Sequence, residues 1–352
     1  MSSTSNNCWS IELDYEPLTL KPRHAFGIAY GSSSHIYNVL VKLRWQSYEG
    51  LGEAAPRLYH AESAATVSSA FEQWAASGVL GFDPFAIEAI MQKLEQSITG
   101  NHAAKAAVEM ALQDLVGKIL GVPVYKRLGL AGMPAPMTDF TIGVSDLSLL
   151  AKKTEEAVQA GYPILKVKQG TSFDKEIILT VRKVAAHIPL RVDANGGWTP
   201  RQAIAMSHFL AEQGVEFIEQ PLPKFAAVED WRFVRQGAAL PIFADESCMR
   251  AADAVRLSGA VDGVVVKLAK AGGISEALKL IHTARAQGMS VMLGMMVESS
   301  LGATAATQLA GLADYLDLDG ALLLDFDPFV GAVYKDGYMN LPDGVGLGVV
   351  PS

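Results

Sequence analysis

Cysteine is scarce. The chain has two, Cys8 and Cys248, far apart and outside any CxxC spacing, which excludes a disulfide framework and a thiolate metal site. Cys248 reads as a small core residue. The seven histidines show no metal-ligand spacing. No long run of Lys and Arg occurs and the formal net charge is −8, so neither nucleic acid nor an anionic membrane surface fits as a partner. Nowhere do about 18 or more uncharged apolar residues follow one another, and the opening MSSTSNNCWSIELDYEP has no basic stretch leading into an apolar one. These absences predict a soluble, cytoplasmic protein whose partner is a small solute. Charged residues are few as well, at 19%, against 50% hydrophobic, which leaves ample material for a core and little for disorder. Low-complexity linkers are missing, so any two parts are expected to share a fixed interface.

What is present is a repeat of one theme. From Met137 onward a short apolar or β-branched run is followed by a turn and then by about a dozen residues with helical periodicity. The predicted strands are 137–144, 164–168, 190–194, 216–220, 242–246, 263–268, 290–295 and 315–319. Helical stretches such as FDKEIILTVRKVAAH and PRQAIAMSHFLAEQG lie between them, and several close on a glycine, at Gly161, Gly214 and Gly288. Eight parallel strands most simply close into a (β/α)8-type barrel, which takes about 250 residues and leaves no sheet edge.

The 352-residue length leaves room for a second part. NVLVKLRWQSYEGLGEAAP reads as an antiparallel pair turning at Glu49-Gly50, and three helical stretches follow it, the last being HAAKAAVEMALQDLVGKIL. The expected division is an α+β capping domain over 1–133, the barrel over 134–320, and a C-terminal segment over 321–352 that packs back on the cap and completes it.

Ionisable residues recur at the ends of successive strands: Lys166 and Lys168 in LKVKQG, Asp193 in RVDANGGW, Glu219 in FIEQPL, Asp245-Glu246 in FADES, and Lys267 in GVVVKLAKAGG. Each step is about one strand–helix unit, so all of these side chains rise at the C-terminal mouth of the barrel, where barrel enzymes place their sites. Strands three, four and five are neighbours, which gathers Asp193, Glu219 and Asp245 into one arc of like charges that calls for a cation. All-oxygen ligands with positions left open suit a single Mg²⁺. Strands two and six face one another across the ring, so Lys168 and Lys267 flank whatever the metal holds. That arrangement suits removal of a proton beside a carboxylate and its return on the opposite face. Lys270, three residues after Lys267, reads as a surface residue.

The order KxK, D, E, DES and K, followed by GMMVESS, resembles the muconate lactonizing branch of the enolase superfamily over nearly the whole chain, including NHAAKAAVEMALQDLVGKILGVPVYKRLG. The enzymes of that superfamily that use a Lys base with magnesium are an established pattern. The resemblance implies that Lys168 and Lys267 are the acid/base pair, serving the R- and S-configured carbon respectively. It also implies that Lys166 touches the substrate carboxylate and that Asp193, Glu219 and Asp245, the first acid of ADES, bind the metal. Asp317-Leu318-Asp319 resembles the DxD with which dipeptide epimerases hold the substrate's free ammonium. A second pair, Asp325 and Asp327, follows, but the predicted strand favours the first.

By the same resemblance Met295 and Val297 line the pocket of the epimerised side chain, and Thr141 joins the substrate contacts. Ile28 stands where Ala-Glu epimerases carry an Arg, five residues after the Lys21-Pro22-Arg23 turn. The loop AFGIAYGSSS is uncharged, which predicts hydrophobic dipeptides. Arg23 and His24 are the two residues that would restore a taste for acids if they turned inward. The rival reactions on this scaffold are muconate cycloisomerisation, o-succinylbenzoate synthesis and N-acylamino acid racemisation, whose substrates lack an ammonium. A non-catalytic binding barrel is the remaining alternative. A homo-oligomer is expected.

Overall fold

The computed structural model describes residues 9–28 and 31–352. Eight strands form one parallel sheet in chain order: Phe140–Ile142, Leu165–Lys168, Leu190–Asp193, Val215–Glu219, Ile242–Ala244, Gly263–Lys267, Ser290–Gly294 and Tyr315–Asp317. They are named below as the first to the eighth barrel strand. A parallel bridge between Thr138 and Leu316 joins the first to the eighth, with the Asp139 N–H donating to the Leu316 carbonyl at 3.1 Å, so the sheet closes on itself. All eight predicted strands are found, most of them a residue or two shorter than the apolar run that announced them.

The barrel is filled. Phe217, Phe243, Val265 and Met292 pack inside it with Tyr315, and a Cβ on Gly263 would fall 2.3 Å from the Phe243 ring, so that glycine makes room for it. Arg191 crosses the same space over the Phe217 and Tyr315 rings and donates to Asp139 at 2.9 Å. The strand-end charges stand at the mouth above this packed floor. Helices such as Asp174–Val184 and Pro200–Glu212 cover the outside, their apolar faces buried in the large core cluster.

The cap is an antiparallel sheet of Glu12–Leu20, Ile36–Trp45 and Tyr48–Ala54, in that order, covered by Ala64–Ser77, Ile87–Ser97 and His102–Leu120. Its hairpin turns at Gln46-Ser47, with Gln46 at φ 55, and not at the expected Glu49-Gly50. Gly50 lies within a strand for another reason: a Cβ there would meet the Ala111 carbonyl at 2.0 Å, and one on Gly52 would meet the Ala107 carbonyl at 2.0 Å. The two glycines let the helix His102–Leu120 lie against the strand.

That helix is buried on every side from Ala103 to Gly117. Its Glu109 accepts the Ser275 N–H at 2.9 Å and hydroxyl at 2.5 Å, tying the cap to the first turn of the barrel helix Ile274–Ala286. The C-terminal residues close the joint. Leu347 N–H donates to Asp114 at 2.8 Å, the Val124 N–H donates to the Gly346 carbonyl at 2.9 Å, and the Gly346 N–H donates to the Val122 carbonyl at 3.1 Å, just past the end of the same helix. Among the described residues no helix is long and apolar enough to cross a membrane.

Candidate active site

The first residues of the site stand where their strands end. Asp193 and Glu219 are the last residues of the third and fourth strands, and Asp245 follows the fifth. Each offers a carboxylate oxygen within 4.8 Å of the other two, and all three are buried. Lys168 closes the second strand and Lys267 the sixth; their ammonium groups lie 2.5 Å from Asp193 and 2.7 Å from Asp245. Lys166, one turn of the pleat deeper and 1% exposed, sits 2.6 Å from Glu219 and 2.7 Å from Asp317 across the barrel.

Burial would raise all three carboxylates, but the lysines overcome it at two of them. Asp193 is held below the usual range by Lys168 and Lys166, and Asp245 well below it by Lys267 and Lys270. Glu219 goes the other way: burial and then repulsion from Asp193 push it well above the carboxylate range despite Lys166. Its Oε1 has no hydrogen-bond partner among the described residues. Three crowded, buried carboxylates, one with an orphaned oxygen, fit a hard divalent cation. Asp193, Glu219 and Asp245 would hold such an ion, and two of them now accept from Lys168 and Lys267. Burial lowers Lys267, but Asp245 and Glu219 outweigh it and hold it well above the lysine range; loss of that partner moves it down.

Several residues here carried no readable signal. Lys270 is not on the surface: it is 1% exposed and donates to Asp245 Oδ1 at 2.7 Å, to the Asp245 carbonyl at 2.7 Å and to Val265 at 2.6 Å. The short helix Leu268–Ala271 turns it back under the fifth strand. Asn195 bridges Asp193 Oδ2 at 3.2 Å and Glu246 at 3.1 Å, which holds Glu246 at the edge of the carboxylate arc. Gln220 accepts the Asp245 N–H at 2.9 Å. The DANGG and EQP contexts of Asn195 and Gln220 were the available hints.

A cavity of about 630 Å³ opens between this mouth and the cap. Lys168 and Lys267 line it from opposite sides, with Asp317 and Asp319 between them and Thr141, Met295 and Val297 on the wall. Phe26, Ile36, Leu58, Tyr59 and Leu323 enclose the outer part. Asp319 accepts the Thr141 N–H at 2.5 Å, and the Thr141 hydroxyl lies 3.4 Å from Asp317. The alternative pair turns elsewhere: Asp325 is exposed and 3.0 Å from Lys21, and Asp327 accepts from the Ser300 N–H and hydroxyl at 2.8 Å. The side chain of Ile28 lies outside the described residues. Arg23 and His24 do not line this cavity; Arg23 donates to the Leu324 carbonyl and His24 pairs with Glu156.

Residues 149–352 match the family described as enolase C-terminal domain-like, and residues 16–129 match the N-terminal domain of mandelate racemase and muconate lactonizing enzyme. The chain belongs to the mandelate racemase and muconate lactonizing enzyme family. An L-Ala-D/L-Glu epimerase of Bacteroides thetaiotaomicron is 40% identical, over 97% of this chain and 88% of that protein. A hydrophobic dipeptide epimerase of Roseobacter litoralis is 36% identical, over 97% and 99%. The structure of a dipeptide epimerase from Cytophaga hutchinsonii, complexed with Mg and D-Ala-L-Val, superposes with a TM-score of 0.92 at 32% identity, covering 97% of this chain and 96% of that one.

Proposed function

We propose that the chain is a dipeptide epimerase that moves the α-proton of the residue carrying the free carboxylate, with Mg²⁺ at Asp193, Glu219 and Asp245. The observation that carries this reading is the position of Asp317 and Asp319 in the same cavity as Lys168 and Lys267. A zwitterion with its carboxylate towards the arc and its ammonium at the aspartates spans that mouth. The rival substrates, muconate, succinylbenzoate precursors and N-acylated amino acids, have no group for the aspartates.

Mg²⁺ supplies a positive centre for the substrate carboxylate and for the charge it gains as the proton leaves. One lysine takes the proton into its neutral amine and the opposite lysine, as ammonium, returns one on the other face, which inverts the carbon. Lys166, charged and buried, adds a fixed positive charge beneath them. Burial lowers it, but Asp317, Glu219 and Asp193 hold it well above the lysine range.

The epimerised side chain is expected to be hydrophobic. Met295 and Val297 form its wall, and Arg57, the one guanidinium lining the cavity among the described residues, is already engaged with Asn38 at 3.0 Å and the carbonyls of Pro56 and Val297 at 2.7 and 2.9 Å. An acidic side chain would lose water there without gaining a partner. A dipeptide library incubated with Mg²⁺ in D₂O and read by mass tests the proposal. Incorporation of one deuteron at the C-terminal residue of Ala-Leu-like dipeptides is expected, and no exchange in any dipeptide would refute it.

A further inference from the structure

A second cavity of about 120 Å³ lies between the first barrel strand, the helix Leu147–Gln159 and residues 23–26. Phe26, Thr141 and Leu323 line both cavities and form the neck between them. The stacked rings of Phe140 and Tyr162, 4.0 Å apart, make one wall. Into this space faces Lys153, which is 8% exposed and makes no hydrogen bond or ion pair among the described residues. Burial pulls its ammonium below the lysine range, against the weaker pull of Asp146 and Glu156.

The nearby charges leave Lys153 unanswered. Glu156 is taken by His24 at 2.8 Å and is reached by Lys152 at 3.9 Å. Arg23 at the lip uses only Nε, on the Leu324 carbonyl at 2.9 Å, and its terminal nitrogens have no partner among the described residues. An unpaired buried cation is costly unless a ligand supplies the counter-charge. The space amounts to about four water volumes, enough for a short chain ending in a carboxylate.

The neck also fixes which part of a dipeptide faces it. Thr141 contacts both Asp317 and Asp319, so the α-carbon of a residue whose ammonium rests on them stands beside Thr141. We infer that the small cavity is a subsite for a carboxylate-bearing side chain on the substrate's N-terminal residue, with Lys153 as its counter-ion and Arg23 supporting it from the lip. The inference rests on the dipeptide reading above. It concerns the residue that is not epimerised, so it is compatible with a hydrophobic partner at the reacting position.

The test compares kcat/KM for L-Glu-L-Leu, its isostere L-Gln-L-Leu, and L-Ala-L-Leu with Mg²⁺ at pH 7.5. The expected result is a preference for Glu over Gln of about tenfold, expressed in KM, as for one charge-assisted contact. In Lys153→Met the Glu/Gln ratio falls towards one, whereas Lys153→Arg keeps it; because the ratio is taken within each variant, a general loss of stability does not move it. Turnover of L-Ala-L-Leu with equal or poorer use of L-Glu-L-Leu than of L-Gln-L-Leu overturns the subsite while leaving the epimerase reading intact. No turnover of any of the three overturns both. Inhibition of L-Ala-L-Leu turnover by propionate, without a Glu preference, assigns the carboxylate to a free anion and overturns the substrate subsite.

Discussion

The Lys166 ammonium lies 2.7 Å from Asp317 Oδ2 and joins it to the carboxylate arc through Glu219, at 2.6 Å. That contact divides the labour of the aspartate pair. Burial opposes ionisation of Asp317, but Lys166 and the two other lysines hold it well below the carboxylate range. Asp319 has no lysine contact of that kind, and burial, then Asp317, push it up to about 7. Below that value Asp319 is mostly neutral and above it carries the charge that answers a substrate ammonium. A dipeptide ammonium itself is lost above about 8. KM for L-Ala-L-Leu is therefore expected to fall from pH 6 to pH 7.5 and to rise again by pH 9. Asp319→Asn should raise KM and remove the acid limb, and an unchanged acid limb in that variant would separate Asp319 from ammonium binding.

Lys168→Ala and Lys267→Ala should each lower epimerisation by at least about a hundredfold, since inversion needs an acceptor on one face and a donor on the other. One of the variants is expected to retain exchange of the α-proton with D₂O from a single stereoisomer. Polarimetry for inversion and mass for exchange separate the two activities, and full inversion in either variant would eliminate the two-base scheme.

Removal of divalent ions should abolish turnover and Mg²⁺ should restore it. Asp193→Asn, Glu219→Gln and Asp245→Asn are expected to weaken Mg²⁺ binding in calorimetry. The direct metal titration keeps this claim separate from activity, and tight binding in all three variants would place the ion elsewhere.

At the epimerised position, kcat/KM for L-Ala-L-Leu should exceed that for L-Ala-L-Glu by at least about tenfold, because burying hydrocarbon against Met295 and Val297 gains roughly 25 cal/mol per Å² while an unpaired carboxylate loses hydration. A clear win for L-Ala-L-Glu would show that a cation reaches the pocket, from the cap loop or from Arg57.

Gly52→Ala should destabilise the protein by about 1–3 kcal/mol, the usual cost of forced overpacking, since its Cβ would lie 2.0 Å from the Ala107 carbonyl. Urea unfolding measures this. An exposed glycine such as Gly132, with nothing within 4 Å of its added Cβ, provides the comparison, although its positive φ carries its own strain.

The barrel and the charged ring of the site were legible in the sequence because both repeat with the chain. A strand, a turn and a helix recur at one length, so a charge placed at each strand end returns to the same mouth, and the ring order alone puts Asp193, Glu219 and Asp245 side by side and Lys168 opposite Lys267. Residues whose role depends on a neighbour from another element were not legible. Gly50 looked like a turn because glycine's two uses, bending a chain and admitting a helix, have the same letter, and only the approach of Ala111 distinguishes them. Lys270 looked exposed because a local pattern does not say that Leu268–Ala271 folds back beneath Asp245. Lys152 and Lys153 are adjacent and identical in sequence, yet the packing of one helix leaves the first in solvent and turns the second into a cavity. Sequence determined which charges share the barrel's end; tertiary packing decided which of the remaining charges are buried, and against what, because burial is a property of the surroundings and not of the residue.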